Sequence, residues 1–134
     1  MPAAYDSYDY PSYWKGREYE HQSEFLALRK LVAEIPKVNK IIEIGAGFGR
    51  LLPSYQFRSK KIVLTDPSAK LISIARKKYG KFKNINFIQT KLQNIPITVK
   101  QKSFDLAIMV RVLHHIGDID QAFDIISKLL SNRG

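Results

Sequence analysis

Ile41-Ile42-Glu43-Ile44-Gly45-Ala46-Gly47-Phe48-Gly49-Arg50 joins an apolar strand pattern to a glycine turn that begins two residues after a carboxylate. The glycines let the backbone adopt angles that other residues avoid, and they let a bound molecule approach the main chain closely. Loops that seat a dinucleotide read G-x-G-x-x-G and place a pyrophosphate on a helix N-terminus. In this chain the third glycine comes one residue early, and Arg50 takes the slot of the third Gly or Ala. Glu43 would face such an anion. A negative group beside the loop suits a ligand with cationic groups.

A second apolar, β-branched run, Lys61-Ile62-Val63-Leu64-Thr65, ends in Asp66-Pro67-Ser68. Asp66 stands about 20 residues past the loop, where an acidic side chain at a strand end can accept hydrogen bonds from ribose hydroxyls. Asp66 or Ser68 also suits the cap of the following helix, with Pro67 in its first turn. Loop and acid together point to a nucleoside-containing ligand.

The strand-one decamer resembles motif I (E/D-x-G-x-G-x-G) of the class I S-adenosylmethionine-dependent methyltransferases, whose cofactor carries an ammonium and a sulfonium. Asp66 matches the acidic residue of that family's motif II. Phe104-Asp105-Leu106-Ala107-Ile108-Met109-Val110-Arg111-Val112-Leu113-His114-His115-Ile116 is similar to the F-D…L-H-H stretch of type 11 methyltransferase domains, and Gln121 to Gly134 to their next helix and turn. The likeness covers residues 41 to 134. The leader Tyr13-Trp14-Lys15-Gly16-Arg17-Glu18-Tyr19 is similar to N-terminal segments that close over the cofactor in such enzymes.

The resemblance implies that Glu43, Gly45, Ala46, Gly47, Gly49, Asp66, Pro67 and Leu92 contact S-adenosyl-L-methionine. Glu43 would orient the methionine ammonium. Arg17 offers a bidentate fork for the methionine carboxylate or a surface pair with Glu18 or Glu20. Tyr13 and Trp14 offer cation–π faces to the sulfonium or simply pack the leader. Ile116 and Leu113 would line the lower pocket. His114 and His115 follow strand four; one suits a general base near neutral pH, and structural roles suit both equally. Lys91 stands where the family often has an acid for the adenine amino group, leaving Gln89, Gln93 or the main chain near Leu92 to hold the base.

Apolar runs alternating with helical spacing give an α/β fold. Strands are expected at Lys40–Ile44, Lys61–Thr65, Ile85–Gln89 and Phe104–Val110. Helices are expected at about Glu20–Ile35, Ser68–Tyr79 and Asp118–Leu130, with 90–103 mostly loop. The leader helix would bury Phe25, Leu28, Leu31, Val32 and Ile35. This pattern predicts a Rossmann-like, doubly wound parallel sheet with right-handed crossovers. The chain divides into an aromatic leader and cap helix, 1–39, and a core, 40–134. The resemblance implies the partial strand order 3-2-1-4, because the family's sheet has seven strands and this chain stops just before the fifth. The chain therefore reads as a C-terminally truncated domain. Strand four would then be an apolar edge, open to self-association.

The chain has 134 residues and a formal net charge of +10, with no cysteine. Disulfides, thiolate zinc sites and cysteine nucleophiles are excluded, and three histidines argue against a metal centre. No apolar run is long enough to span a bilayer, and a cytoplasmic setting is expected. The basic excess falls at Arg58, Lys60, Lys61, Arg76, Lys77, Lys78, Lys81, Lys83, Lys100 and Lys102. These positions precede strands or end helices, away from the carboxyl edge where ligands bind. Only Arg50, Lys70, Lys91 and Arg111 belong near that edge.

The leading expectation is methyl transfer to a small-molecule acceptor. RNA methylation is the alternative the basic charge supports, although Val110-Arg111-Val112-Leu113 replaces the N/D-P-P-F/Y common in base-amine enzymes of this fold. A non-catalytic cofactor-binding or interaction module is a third reading. A nicotinamide-dependent oxidoreductase is disfavoured by Glu43 and by the glycine spacing.

Overall fold

The computed structural model describes residues 9–113 and 116–134. Among these, four strands form one parallel sheet: β1 (Lys40–Ile44), β2 (Lys61–Asp66), β3 (Ile85–Gln89) and β4 (Leu106–Met109). Their spatial order is β3-β2-β1-β4. Helices α1 (Tyr10–Tyr13), α2 (Glu18–Ala33), α3 (Ala69–Tyr79), α4 (Ile95–Thr98) and α5 (Ile119–Leu129) surround it. Two 3-10 turns, Leu52–Ser54 and Gln56–Arg58, join β1 to β2, and from β2 onward helix and strand alternate.

Strand β1 is central, with Ile42 opposite Val63 on one side and Ala107 on the other. Its side chains are buried on both faces, as a doubly covered parallel strand requires. One face packs Ile41, Ile62, Leu64, Ile85 and Ile108 against Val32, Leu52, Tyr55 and Tyr79. The other packs Ile42, Ile44 and Val63 against Ile95, Phe104, Ile125 and Leu129. Glu43 alternates onto the first face. The chain order reverses at β1, so the crevice outside the carboxyl ends of β1, β2 and β4 is where such a sheet binds ligands.

Several expected boundaries shift for identifiable reasons. Strand β4 is shorter than Phe104–Val110: Phe104 bridges to Leu130 instead, and the chain turns at Arg111 with φ of 60°. Residues 90–103 are not simply loop. A 3-10 turn at Leu92–Asn94 leads into α4, whose Pro96 occupies the first turn, where its missing N–H costs nothing. The leader carries the short helix α1, and Trp14 at its end is buried. Helix α2 buries only Val32, with Leu28 and Ile35 packed against the core, while Leu31 points outward at 61% exposure. Ser68 is the N-cap of α3 and Asp118 that of α5, each side chain accepting from the backbone N–H three residues on.

Asp105 has a structural task. Its Oδ2 accepts from the Asn39 N–H at 2.8 Å and the Lys40 N–H at 3.0 Å, which pins the start of β1 beside β4. Asp105→Ala leaves both donors without this charged acceptor. The expected loss is about 1–2 kcal/mol, or roughly 5 °C in Tm, read by thermal denaturation. An unchanged Tm would contradict the role.

Candidate active site

Three glycines with left-handed φ shape the turn after β1: Gly45 at 70°, Gly47 at 61° and Gly49 at 83°. At Gly45 the requirement is also steric, since a Cβ there would lie 2.3 Å from Val112 Cγ2. Asp66 closes the turn from the neighbouring strand. Its Oδ2 accepts from the Gly47 N–H and its Oδ1 from the Ser68 N–H, both at 2.9 Å. These two bonds fix the carboxylate at the carboxyl end of β2, beside the loop.

Glu43 is 3% exposed and accepts from the Tyr55 hydroxyl at 2.5 Å. Burial pushes its carboxyl up to about 7; the Tyr55 bond and the Arg50 charge work in the opposite direction, and Asp66 adds to the rise. Burial, and then the Glu43 charge, raise the Tyr55 phenol well above its usual range. None of the ion pairs among the described residues includes Glu43. A buried carboxylate without a cation is an expensive arrangement unless a positively charged group arrives to pair with it.

Two cavities meet at Gly45. The smaller, about 30 Å³, is lined by Glu43, Gly45, Ala46, Gly47, Arg50 and Tyr10 among others. The larger, about 240 Å³, runs from Gly45 and Pro67 to Thr90, Lys91, Leu92 and Gln93, with Val112, Ile116 and Gln121 opposite. Apolar walls at Pro67, Leu92 and Ile95, with polar groups at Thr65, Thr90 and Gln93, suit a flat heteroaromatic ring bearing hydroxylated sugar. Lys91 does line this cavity, so an adenine amino group would have to find its acceptor elsewhere. Gln89 is engaged with the Pro67 carbonyl at 3.3 Å.

The structure thus brings together Glu43, Gly45, Ala46, Gly47, Pro67 and Leu92 along one cleft, with Asp66 bracing the loop. It does not bring Gly49, Arg17 or Tyr13 to either cavity. Gly49 faces inward, and a Cβ there would lie 2.8 Å from Tyr79 Cε2. Arg17 takes the surface pairing, 3.4 Å from Glu20, and its guanidinium lies 4.2 Å from the Tyr13 ring centroid. Tyr13 itself packs on Tyr10 and Trp14. Ile116 lines the large cavity, whereas Leu113 does not. His114 and His115 lie outside the described residues. Among the described residues no cluster of side chains has the makings of a metal site, and no helix is long and apolar enough to cross a membrane.

Tyr55 and Glu24 are the polar residues that sequence reasoning missed. Tyr55 reads locally as one aromatic in a turn after Pro53, and its hydroxyl meets a carboxylate twelve residues upstream. Glu24 reads as a solvated helix residue.

The model of the methyltransferase domain family matches residues 42–134. The probable polyketide synthase 42 of Dictyostelium discoideum is 29% identical across 87% of this chain, which spans only 6% of that protein. Among solved structures, an S-adenosylmethionine-dependent methyltransferase of Leishmania major superposes with a TM-score of 0.78 at 18% identity, over 90% of this chain and 50% of its own. The carbon methyltransferase CurJ gives 0.65 at 21% identity, over 83% of this chain and 32% of its own. The chain therefore spans half or less of the solved chains named here, and a small fraction of the curated relative.

Proposed function

Starting from a chain that belongs to the methyltransferase domain family, we propose that the cleft holds S-adenosyl-L-methionine and serves methyl transfer to a small-molecule acceptor. The observation that carries this reading is the buried carboxylate of Glu43, which is in no ion pair among the described residues, beside a glycine loop braced by Asp66. Glu43 would take the methionine ammonium and Asp66 the ribose hydroxyls. Gly45, Ala46 and Gly47 would let the main chain approach the ligand, and Pro67 and Leu92 would flank the base.

When bound, S-adenosylmethionine supplies an electrophilic methyl group on a sulfonium, displaced in line by the acceptor. Because that leaving group is reactive, the chain's main task is orientation and exclusion of water. Glu43 and Asp66 would hold two ends of the ligand and so orient it for the transfer. His114 and His115, which come after β4 in the sequence, would face the acceptor in this reading. One of them would remove a proton from a hydroxyl or amine. The polyketide synthase relative supports a small organic acceptor in this reading.

Titration calorimetry with S-adenosylhomocysteine against NADH separates this reading from a dinucleotide site. The expected result is micromolar or tighter binding of the homocysteine nucleoside and none of NADH. NADH binding with no S-adenosylhomocysteine signal would reject it.

A further inference from the structure

Three segments remote in sequence, the leader, the glycine loop and the stretch after β4, meet beside the glycine loop. Trp14, at the end of α1, has two guanidiniums against its ring: that of Arg50 lies 3.7 Å from the centroid and that of Arg111 5.0 Å. Glu24 of α2 accepts from both arginines, at 2.6 Å from Arg50 Nη2 and 2.5 Å from Arg111 Nε. Glu20, one turn earlier, adds a contact of 3.3 Å to Arg111 Nη2. His21 Nδ1 lies 2.9 Å from Arg50 Nη1. Burial opposes ionisation of Glu24, but the bonds from Arg50 and Arg111 outweigh it and hold its carboxyl below the ordinary glutamate value.

The two arginines come from the glycine loop and from the segment after β4. Arg50 lines the small cavity with Glu43, and Arg111 follows β4 in a left-handed conformation that a non-glycine residue rarely adopts without support. One carboxylate therefore ties the glycine loop, the segment after β4 and the leader helix together. It also occupies the guanidinium of Arg50, which shares the small cavity with Glu43 and whose charge favours ionisation of that carboxyl.

We propose that Glu24 is a positioning residue for the methionine end of the cofactor: it holds Arg50 and Arg111 in place and keeps Arg50 from pairing with Glu43. The Glu43 carboxylate is thereby left open to the ligand's ammonium. This rests on the reading of the cleft as an S-adenosylmethionine site. Without Glu24, the Arg50 guanidinium is released beside the buried carboxylate and competes with the ammonium for it, because opposite charges attract strongly where water is scarce. The leader thus shapes the cleft from outside, without lining it through Arg17 or Tyr13.

The test compares two probes in calorimetry. S-Adenosylhomocysteine has the amino-acid end; 5′-methylthioadenosine keeps adenine, ribose and thioether and lacks that end. Glu24→Gln is expected to weaken S-adenosylhomocysteine about tenfold while leaving 5′-methylthioadenosine within about twofold, a loss typical of one charge-assisted contact. Arg111→Gln leaves the Arg50–Glu24 pair in place, so it should not show this selectivity. Equal weakening of both probes would make Glu24 merely structural and overturn the proposal, as would no weakening of either. If the unaltered protein bound neither probe, the cofactor reading itself would fall first.

Discussion

Gly45→Ala is expected to lose measurable S-adenosylhomocysteine binding and about 2–4 kcal/mol of stability, near 10 °C in Tm. Two costs add at this position. An alanine at φ of 70° pays the left-handed penalty, about 1–2 kcal/mol. Its Cβ would also stand 2.3 Å from Val112 Cγ2, and a β-branched side chain has little rotamer freedom with which to yield. Relief must come from moving the glycine loop or the segment after β4, and both are walls of the cleft. Gly16→Ala is the control. Gly16 has a similar φ of 78° with nothing within 4 Å of its added Cβ, so it should cost about 1 kcal/mol and leave affinity unchanged. Matching losses in the two variants would show that backbone strain alone, and not the close approach at Gly45, limits the site.

A change of pH should move ligand affinity and stability in opposite directions through Glu43. Its carboxyl is raised from 4.5 to about 7, first by burial. A raised group gives the folded state more bound protons than the unfolded chain between those values. Its stabilising contribution is therefore full below about 4.5 and is lost as pH rises towards 7, by up to about 3 kcal/mol. The ligand ammonium needs the ionised form. Affinity for S-adenosylhomocysteine should climb about tenfold per pH unit below 7 and level off above it. Glu43→Gln keeps an acceptor for Tyr55 but cannot ionise, so it should flatten the affinity profile and remove that part of the stability profile. Binding that ignores pH between 5.5 and 8 in the unaltered protein would contradict the Glu43–ammonium pairing.

The strands were largely legible because their signal is local. Lys40–Ile44 and Ile85–Gln89 are bounded as expected, and β2 is longer by Asp66 alone. Buried parallel strands are continuous apolar runs, and caps such as Ser68 and Asp118 mark helix starts with single residues. Strand β4 was overread because Phe104 and Val110 are as apolar as the strand itself; only the pairing partner decides that Phe104 meets Leu130. Residues 90–103 read mostly as loop, yet Pro96 sits in the first turn of α4, a position that suits proline.

The glycine loop and Asp66 were legible for the same reason as the strands: their spacing is short and dictated by one turn. The electrostatic surroundings were not. Tyr55 reaches Glu43 across 12 positions, Arg50 reaches Glu24 across 26, and Arg111 reaches Glu24 across 87. Such pairs leave no periodicity. Arg17 shows the converse, since its local option, a partner three residues on, is the one it takes, leaving Arg50 as the arginine on the small cavity.

A crystal structure with S-adenosylhomocysteine bound tests the central claim most directly. The account predicts ribose hydroxyls within about 3 Å of the Asp66 carboxylate and the ligand's ammonium directed at Glu43, directly or through one water. A nucleoside seated elsewhere, or seated in the cleft with neither carboxylate in contact, would contradict it.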